Sequence, residues 1–451
     1  MKDGGTVFNF PEGLYSDVRV EKVRATLVQY LKGELREMRE RDTAGAFIRV
    51  YDGKRWYYSS TTSLNKVQEE LDRLAKLASP SKAIGEDKVV KNMTSLKAKP
   101  HGFTGKDLRA VSLAEKNDFL FSFFPAVTAE KAITMWSASY SDTFTHRELY
   151  NSKGASSVCE QQLCGLRIGM TFTENGHTFT EGAMKAGGEF RELGDFKGIL
   201  DKRIAQSLEF LRKSTRVQPG KYTVVLSPLA AGVFAHESFG HKSEADFMLG
   251  DETMLKEWHI GRQLGPDFLH ISDDGACAGS GFTPFDDEGT PAKKTTLIKN
   301  GKLAGRLHSA VTAAALGEEA TGNARAISFE YEPIVRMTTT HFEPGNMSKE
   351  ELFAGVKDGL FIDTIKHGSG MSTFTIAPSL AYFIKDGKLA GPAQISVISG
   401  SVFDTFGLID AISDKVELLS FVGGGCGKME QHPLPVGFGG PYVRVRGMSV
   451  L

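Results

Sequence analysis

The chain has only four cysteines in 451 residues. That is too few for a disulfide framework, so the thiols are read as reduced and the protein as cytoplasmic. No charge sign is in excess: 54 Lys and Arg stand against 55 Asp and Glu, a formal net charge of -1, which supplies no global field for holding nucleic acid or an anionic lipid surface. Long apolar runs are missing too. The longest uncharged apolar stretch, Tyr222 to Ala235, contains Pro228 and falls well short of the roughly 20 residues a bilayer needs. The first fifteen residues carry Lys2, Asp3, Pro11 and Glu12 where a signal peptide would have an apolar region, so neither a targeting segment nor a membrane partner is expected.

What is present is an ordinary globular composition, 41% hydrophobic and 24% charged, long enough for two or three packed domains and incompatible with disorder as the main state. Glycine is the exception. Its 49 residues are roughly 11% of the chain against a usual share of about 7%, which implies many turns.

Several of those turns are placed by their neighbours. Val18 and Val20 alternate with polar residues, Lys32-Gly33 marks a tight turn, and Phe47, Arg49 and Tyr51 run into Asp52-Gly53 with Trp56 to Tyr58 beyond. An Asp-Gly pair between β-rich runs is a hairpin signal because a type I′ turn needs positive φ at both central residues. Leu64, Val67, Leu71, Leu74 and Leu77 then recur at helical spacing, with Pro80 just beyond, so one amphipathic helix is expected on a small antiparallel sheet. Lys82 to Lys99 is lysine-rich and reads as a solvated connection. From Ala132 to Gly188 strand-like runs return around Leu149, Leu166 to Phe172 and Phe179, broken by Asn151 to Gly154 and Asn175-Gly176. A second helix follows through Phe196, Leu200, Ile204, Leu208 and Leu211, closed by Pro219-Gly220. The domain boundary is placed there, giving an N-terminal α+β domain over residues 1–218 and a C-terminal β-rich, metal-binding catalytic domain over residues 219–451.

The second part is rich in hairpin signals. Ile298-Lys-Asn-Gly-Lys-Leu-Ala-Gly305 recurs almost letter for letter as Ile384-Lys-Asp-Gly-Lys-Leu-Ala-Gly391. The flanking segments do not match, so this reads as one turn solution used twice rather than a repeat architecture. The expected fold class is α+β: an N-terminal antiparallel sheet with packed helices, then a hairpin-rich, curved or barrel-like C-terminal β domain.

The chemistry concentrates after Tyr222 to Leu226, a β-branched run that reads as a buried strand. Residues Ala230 to Gly240 have helical composition and lead into His236-Glu237-Ser238-Phe239-Gly240-His241. Two histidines four apart on an α-helix differ by about 40° and face one metal, whereas the spacing of five here gives about 140°. A one-residue π-bulge would bring i and i+5 nearly into line, and a bend at Gly240 would turn His241 back; without either, the segment is a helix with one core and one surface histidine. A catalytic zinc site takes three protein ligands and leaves a position for water. Two cysteines compete for the third place, Cys426 in Gly423-Gly-Gly-Cys-Gly427 and Cys277 in Gly275-Ala-Cys-Ala-Gly279, both with glycines that let the backbone come close. Cys159 and Cys164 lie among strand-like residues and read as core thiols.

At these residues the sequence resembles the TldD/PmbA family of metalloprotease-like proteins, often labelled modulators of DNA gyrase. The resemblance spans most of the chain and is carried by His236-Glu-Ser-Phe-Gly-His-Lys-Ser-Glu-Ala-Asp-Phe247, Asp286-Asp-Glu-Gly-Thr-Pro291, Thr321-Gly-Asn-Ala-Arg325 and Gly423-Gly-Gly-Cys-Gly-Lys428. The chain is similar to the TldD-type, metal-bearing member, since the PmbA-type partner lacks the histidine-glutamate motif. The resemblance implies that His236, His241 and Cys426 bind the metal, most simply Zn2+, and it favours Cys426 over Cys277. It further implies unfolded or extended peptide substrates, which enter an enclosed site and add as a β-strand, and a homodimer or a heterodimer with a PmbA-like paralogue.

The expected function is accordingly a cytoplasmic metallopeptidase of HExxxH type. The metal would acidify a water and polarise a peptide carbonyl, and Glu237 would act as general base. Glu244 and Asp246 are either orienting partners of the ligands or solvent-facing charges. Asp286 to Pro291 is a turn by composition, with substrate contact implied by resemblance alone; Arg325 either holds a substrate carboxylate or makes a structural salt bridge. Val443 to Arg446 reads as a closing strand with one wet face. The alternative function is a non-catalytic regulatory or scaffolding subunit of gyrase-modulator type, without peptidase activity.

Overall fold

The computed structural model describes residues 8–100 and 102–451; Lys2 and Asp3, on which the reading of the chain's beginning partly rests, lie outside the described residues. Among the described residues no helix is long and apolar enough to cross a membrane. The fold is α+β, built on two large sheets.

The first sheet contains β1 (Tyr15–Leu31), β2 (Glu34–Tyr51), β3 (Trp56–Thr61), β4 (Lys97–Ala98), β5 (Ile133–Asn151), β6 (Ser156–Glu174) and β7 (His177–Gly187), in the spatial order β3-β2-β1-β5-β6-β4 with β7 also paired to β6. Apart from the short parallel contact of β4 it is antiparallel. Lys32 and Gly33 both take positive φ, 52° and 82°, as a type I′ turn requires. The helix Val67–Ala75 buries Val67, Leu71 and Leu74 against Val18, Val20, Ile48 and Val50, whereas Leu77 is exposed. The helix Phe196–Lys213 lays Phe196, Leu200, Ile204 and Phe210 on Leu166, Ile168 and Phe179. Burying side chains of this size contributes about 1.5–3 kcal/mol each.

Three local expectations need correction. Asp52-Gly53 does turn β2 into β3, but Asp52 keeps negative φ. The loop runs over four residues from Tyr51 to Trp56, and Asp52 Oδ1 accepts the N–H groups of Lys54 and Arg55 at 2.9 Å; side-chain hydrogen bonding replaces the backbone twist of a type I′ turn. The lysine-rich segment Lys82 to Lys99 is more than a solvated connection. Its short helix Lys88–Asn92 is capped by Asp87, and Val90 and Met93 are buried with Tyr15, Tyr51 and Ala310. Val443 to Arg446 has no wet face over its first three residues: it begins an interior strand, Val443–Val450, with Val443, Arg444 and Val445 all buried and Arg444 paired to Asp410.

The second large sheet is a curled half-barrel of ten strands. It runs from Ile365–Gly370 at one edge through Thr373–Pro378, Ile398–Ser401, Val443–Val450, Gly220–Leu226, Asp358–Ile362, Ala381–Lys385 and Lys388–Gln394 to Thr215–Arg216; Ile409–Ile412 also pairs with Val443–Val450. The two near-identical hairpins have both central residues at positive φ, Asn300-Gly301 and Asp386-Gly387. They lie in different sheets, so the same turn chemistry serves two unrelated places.

Strand Gly220–Leu226 positions the site. It lies between Val443–Val450, antiparallel, and Asp358–Ile362, parallel, with Val224, Val225 and Leu226 buried. Ser227 then caps the helix Pro228–Ala235 by accepting the Ala230 N–H, and Pro228 occupies the first turn, where a missing donor costs nothing. Every residue of that helix except Leu229 is buried, with Phe234 stacked edge-on to Phe374 at 4.9 Å. A helix apolar on nearly all sides is held from all sides, and its end delivers His236.

Candidate metal centre

The α-helix does not continue through the histidines. Residues His236–Gly240 form a π-helical turn in which the His241 N–H donates to the carbonyl of His236, five residues back. A five-residue hydrogen bond brings i and i+5 onto one side, and the two imidazole rings lie 5.0 Å apart between centroids. Tertiary packing enforces the distortion: Gly240 sits so close to Met337 that a Cβ there would lie 2.0 Å from its sulfur. No periodicity argument could have chosen between the π-turn and a bent helix.

The third group arrives from far along the chain. The strand Cys426–Lys428 pairs with Gln431–Leu434, and Gly425 approaches the Leu434 backbone so closely that a Cβ would lie 2.2 Å from the carbonyl oxygen. Arg336, itself fully buried, donates to the Cys426 carbonyl at 2.7 Å. Cys426 Sγ thereby comes 3.4 Å from His241 Nε2, and the ligand atoms of His236, His241 and Cys426 all lie within 4.8 Å of one another. Bonds of about 2.0–2.3 Å in a tetrahedral site call for separations of roughly 3.5 Å, so small movements suffice for one ion.

The chemistry of the donors fits a divalent metal. His236 is 1% exposed and its buried Nδ1 has no hydrogen-bond partner, which a polar ring at that depth requires a reason for. Burial, then the neighbouring His241, pushes its pKa well below the ordinary histidine value, keeping it neutral as a ligand must be. Burial also works against charge on His241, but hydrogen bonds with Cys426 and Glu244 outweigh it and bring its pKa up to about 10. A metal ion at that position would have to displace the His241 proton, as metal binding to histidine generally does. Glu237 is partly buried beside the cluster, and desolvation raises its carboxyl above the usual range against the opposing effect of His241.

Glu244 is fully buried and its Oε2 lies 3.1 Å from His241 Nδ1, the position of an orienting partner rather than a solvent-facing charge. Asp246 accepts from Lys428 at 2.6 Å. Lys428 and Arg336 were not singled out from sequence; an alternating pattern after Cys426 could have flagged Lys428, but nothing marks Arg336. Cys277 lies apart, on the loop after strand Ile271–Asp274, partly exposed, with its thiol pushed up to about 11 by burial and Asp274. Cys159 and Cys164 are buried free thiols, pushed up by burial to about 11 and higher.

The acidic residues of the Asp286 to Pro291 motif are buried, Asp287 and Glu288 in ion pairs. Asp286, Asp287 and Glu288 are 1–2% exposed. Glu288 pairs with Arg49 at 3.2 Å, and Asp287 with Arg147 at 3.1 Å and Arg19 at 3.4 Å, so this segment ties the strands of the first sheet to the C-terminal part instead of facing a substrate. Arg325 donates to the carbonyls of Met337 and Pro435.

Three family models match the chain: the PmbA/TldA metallopeptidase domain 1 over residues 16–81, the central domain over residues 106–209 and the C-terminal domain over residues 219–451. A metalloprotease of Synechocystis sp. is 33% identical, covering 97% of this chain and 94% of its own. A zinc metalloprotease TldD homolog of Saccharolobus solfataricus is 28% identical over 97% of this chain and 96% of its own. Among solved structures, TldE from Thermococcus kodakarensis superposes with a TM-score of 0.77 at 17% identity, and a Thermotoga maritima protein described as a candidate modulator of a DNA gyrase with 0.78 at 19%; each comparison covers 97% of this chain and 96% of the other. At these identities the two structures speak to the fold.

Proposed function

Since the chain belongs to the PmbA/TldD metallopeptidase family, we propose that it is a cytoplasmic, zinc-type peptidase of unfolded or extended peptides, with His236, His241 and Cys426 as ligands of one divalent ion and Glu237 as general base. The convergence of two imidazoles and a thiol beside a carboxylate carries this proposal. Three protein ligands with room for a water are the composition of a catalytic zinc site, whereas closed structural sites use four. The zinc metalloprotease name of the Saccharolobus solfataricus relative supports the choice of metal.

When bound, the ion supplies Lewis-acid polarisation of the peptide carbonyl and lowers the pKa of a water towards about 7. Glu237 takes the proton from that water and delivers it to the leaving amine nitrogen. Glu244 holds the His241 ring through Nδ1, so that Nε2 faces Cys426. Strand Ile365–Gly370 suits an extended substrate. It ends the ten-stranded sheet with its outer edge unpaired among the described residues, and its Gly368 and Gly370 lie against Glu237. Such an edge offers main-chain hydrogen bonds to a peptide of almost any sequence. A homodimer, or a heterodimer with a PmbA-like paralogue, completes the proposal; neither nucleic acid nor membrane is a partner.

Digestion of an unfolded peptide tests it, with protein alone and with its paralogue. The expected result is cleavage abolished by chelator and restored by Zn2+. No cleavage by either preparation when metal-replete would overturn the assignment.

A further inference from the structure

Cys426 and Lys428 are two residues apart on one short strand, both buried, with exposed Gly427 between them. Strand alternation therefore puts the thiol and the ammonium on the same side. Lys428 has three oxygens around its Nζ: the Val335 carbonyl at 2.8 Å, Asp246 Oδ1 at 2.6 Å and Glu244 Oε2 at 3.2 Å. An ammonium has three N–H donors, and a buried one is tolerated only when they are placed. The Glu244 oxygen it faces is the one 3.1 Å from His241 Nδ1, and His241 Nε2 faces Cys426 Sγ at 3.4 Å. The contacts close a ring: Cys426, Gly427 of the strand, Lys428, Glu244, His241 and Cys426 again.

We propose that Lys428 is a positioning residue that, through Glu244, locks the His241 ring and the Cys426 thiol into one preassembled ligand pair. This rests on the metal centre proposed above. Glu244 Oε1 has no hydrogen-bond partner even with the ammonium in place, so without Lys428 the buried carboxylate is left with His241, at Oε2, as its one partner among the described residues. The carboxylate then has no fixed position from which to hold the ring, and the strand that carries Cys426 loses its tie to the segment that carries His241.

The roles open to a buried cation here differ in sign. A cation acting only by its charge would repel a divalent ion, so its removal would tighten metal binding. Removal of a positioning residue loosens it, by the about 10–100-fold typical of outer partners of metal ligands.

The test is the Zn2+ affinity of the full-length K428M protein by competition with a chromophoric chelator, with the thiolate-to-Co2+ absorption band as a second readout and the thermal midpoint of metal-free protein as the folding control. The expected result is affinity about 10–100-fold weaker, an altered Co2+ band, and little further loss when K428M is added to E244Q. Affinity equal to or tighter than wild type, or an undiminished loss in the E244Q background, overturns the proposal. Should K428M not fold, D246N is measured in the same assay: weaker binding is expected and unchanged binding overturns it. Wild-type protein that binds no divalent ion would instead refute the metal centre itself, a result distinct from wild-type binding that K428M leaves intact.

Discussion

Cys426 Sγ and His241 Nε2 stand 3.4 Å apart although 185 residues separate them in the chain. The contact joins a glycine-framed strand to a π-helical turn. If both atoms serve one ion, Cys426→Ser should weaken Zn2+ binding by more than the about 10–100-fold that loss of an outer partner costs, while Cys277→Ser leaves it unchanged. Isothermal titration of the two variants checks this; equal affinities would remove Cys426 from the ligand set.

Glu237 supplies no ligand in this account, so Glu237→Gln should keep a full equivalent of metal while kcat falls by about 10²–10⁴-fold and KM changes little. Metal analysis beside steady-state kinetics measures both. Turnover at the wild-type rate would contradict its role as base.

Much of this site was legible in the sequence, and the illegible parts share a cause. The helix through Phe196, Leu200 and Ile204 follows from spacing alone, because one apolar stripe faces one sheet. The five-residue histidine spacing admitted two geometries, and the choice between them rests on Gly240 packing against Met337, a contact across 97 positions that no local pattern encodes. Arg444 escaped for the same reason: its burial depends on Asp410 and the Leu352 carbonyl, brought alongside by the sheet. Likewise, Asp286 to Glu288 reads as a polar turn until Arg19, Arg49 and Arg147 meet it from the other sheet.

That meeting has an energetic consequence. Arg49 pairs with Asp17 at 2.8 Å and Glu288 at 3.2 Å, all three side chains at most 6% exposed. Arg49→Met would leave two buried carboxylates without their cation, which costs about 3–5 kcal/mol. Denaturant unfolding should show a loss of this order; a loss below about 1 kcal/mol, the value of a surface pair, would mean the network carries little.

His146 bridges Glu148 and Glu160, each at 3.0 Å, and Lys22 and the Tyr150 hydroxyl also face Glu148. The hydrogen bond to Glu148, then that to Glu160, raises the His146 pKa against desolvation, and the same contact with His146 brings Glu148 down to about 2. The raised histidine contributes stability below its unfolded value of about 6.5, lost as pH rises through the folded value; the depressed carboxylate contributes above about 4.3, lost as pH falls through the folded value. Both act between about pH 4.5 and 6.5. The melting temperature of His146→Gln should therefore trail wild type most near pH 5.5 and least near pH 9, and a deficit constant across that range would contradict the pairing.

X-ray absorption at the zinc edge of the loaded protein tests the metal centre most directly. Two imidazoles and one thiolate predict a single sulfur at about 2.3 Å and nitrogens at about 2.0–2.1 Å, with the sulfur contribution gone in Cys426→Ser. A zinc shell without sulfur in the wild-type protein, or a sulfur signal that survives loss of Cys426, would contradict the account.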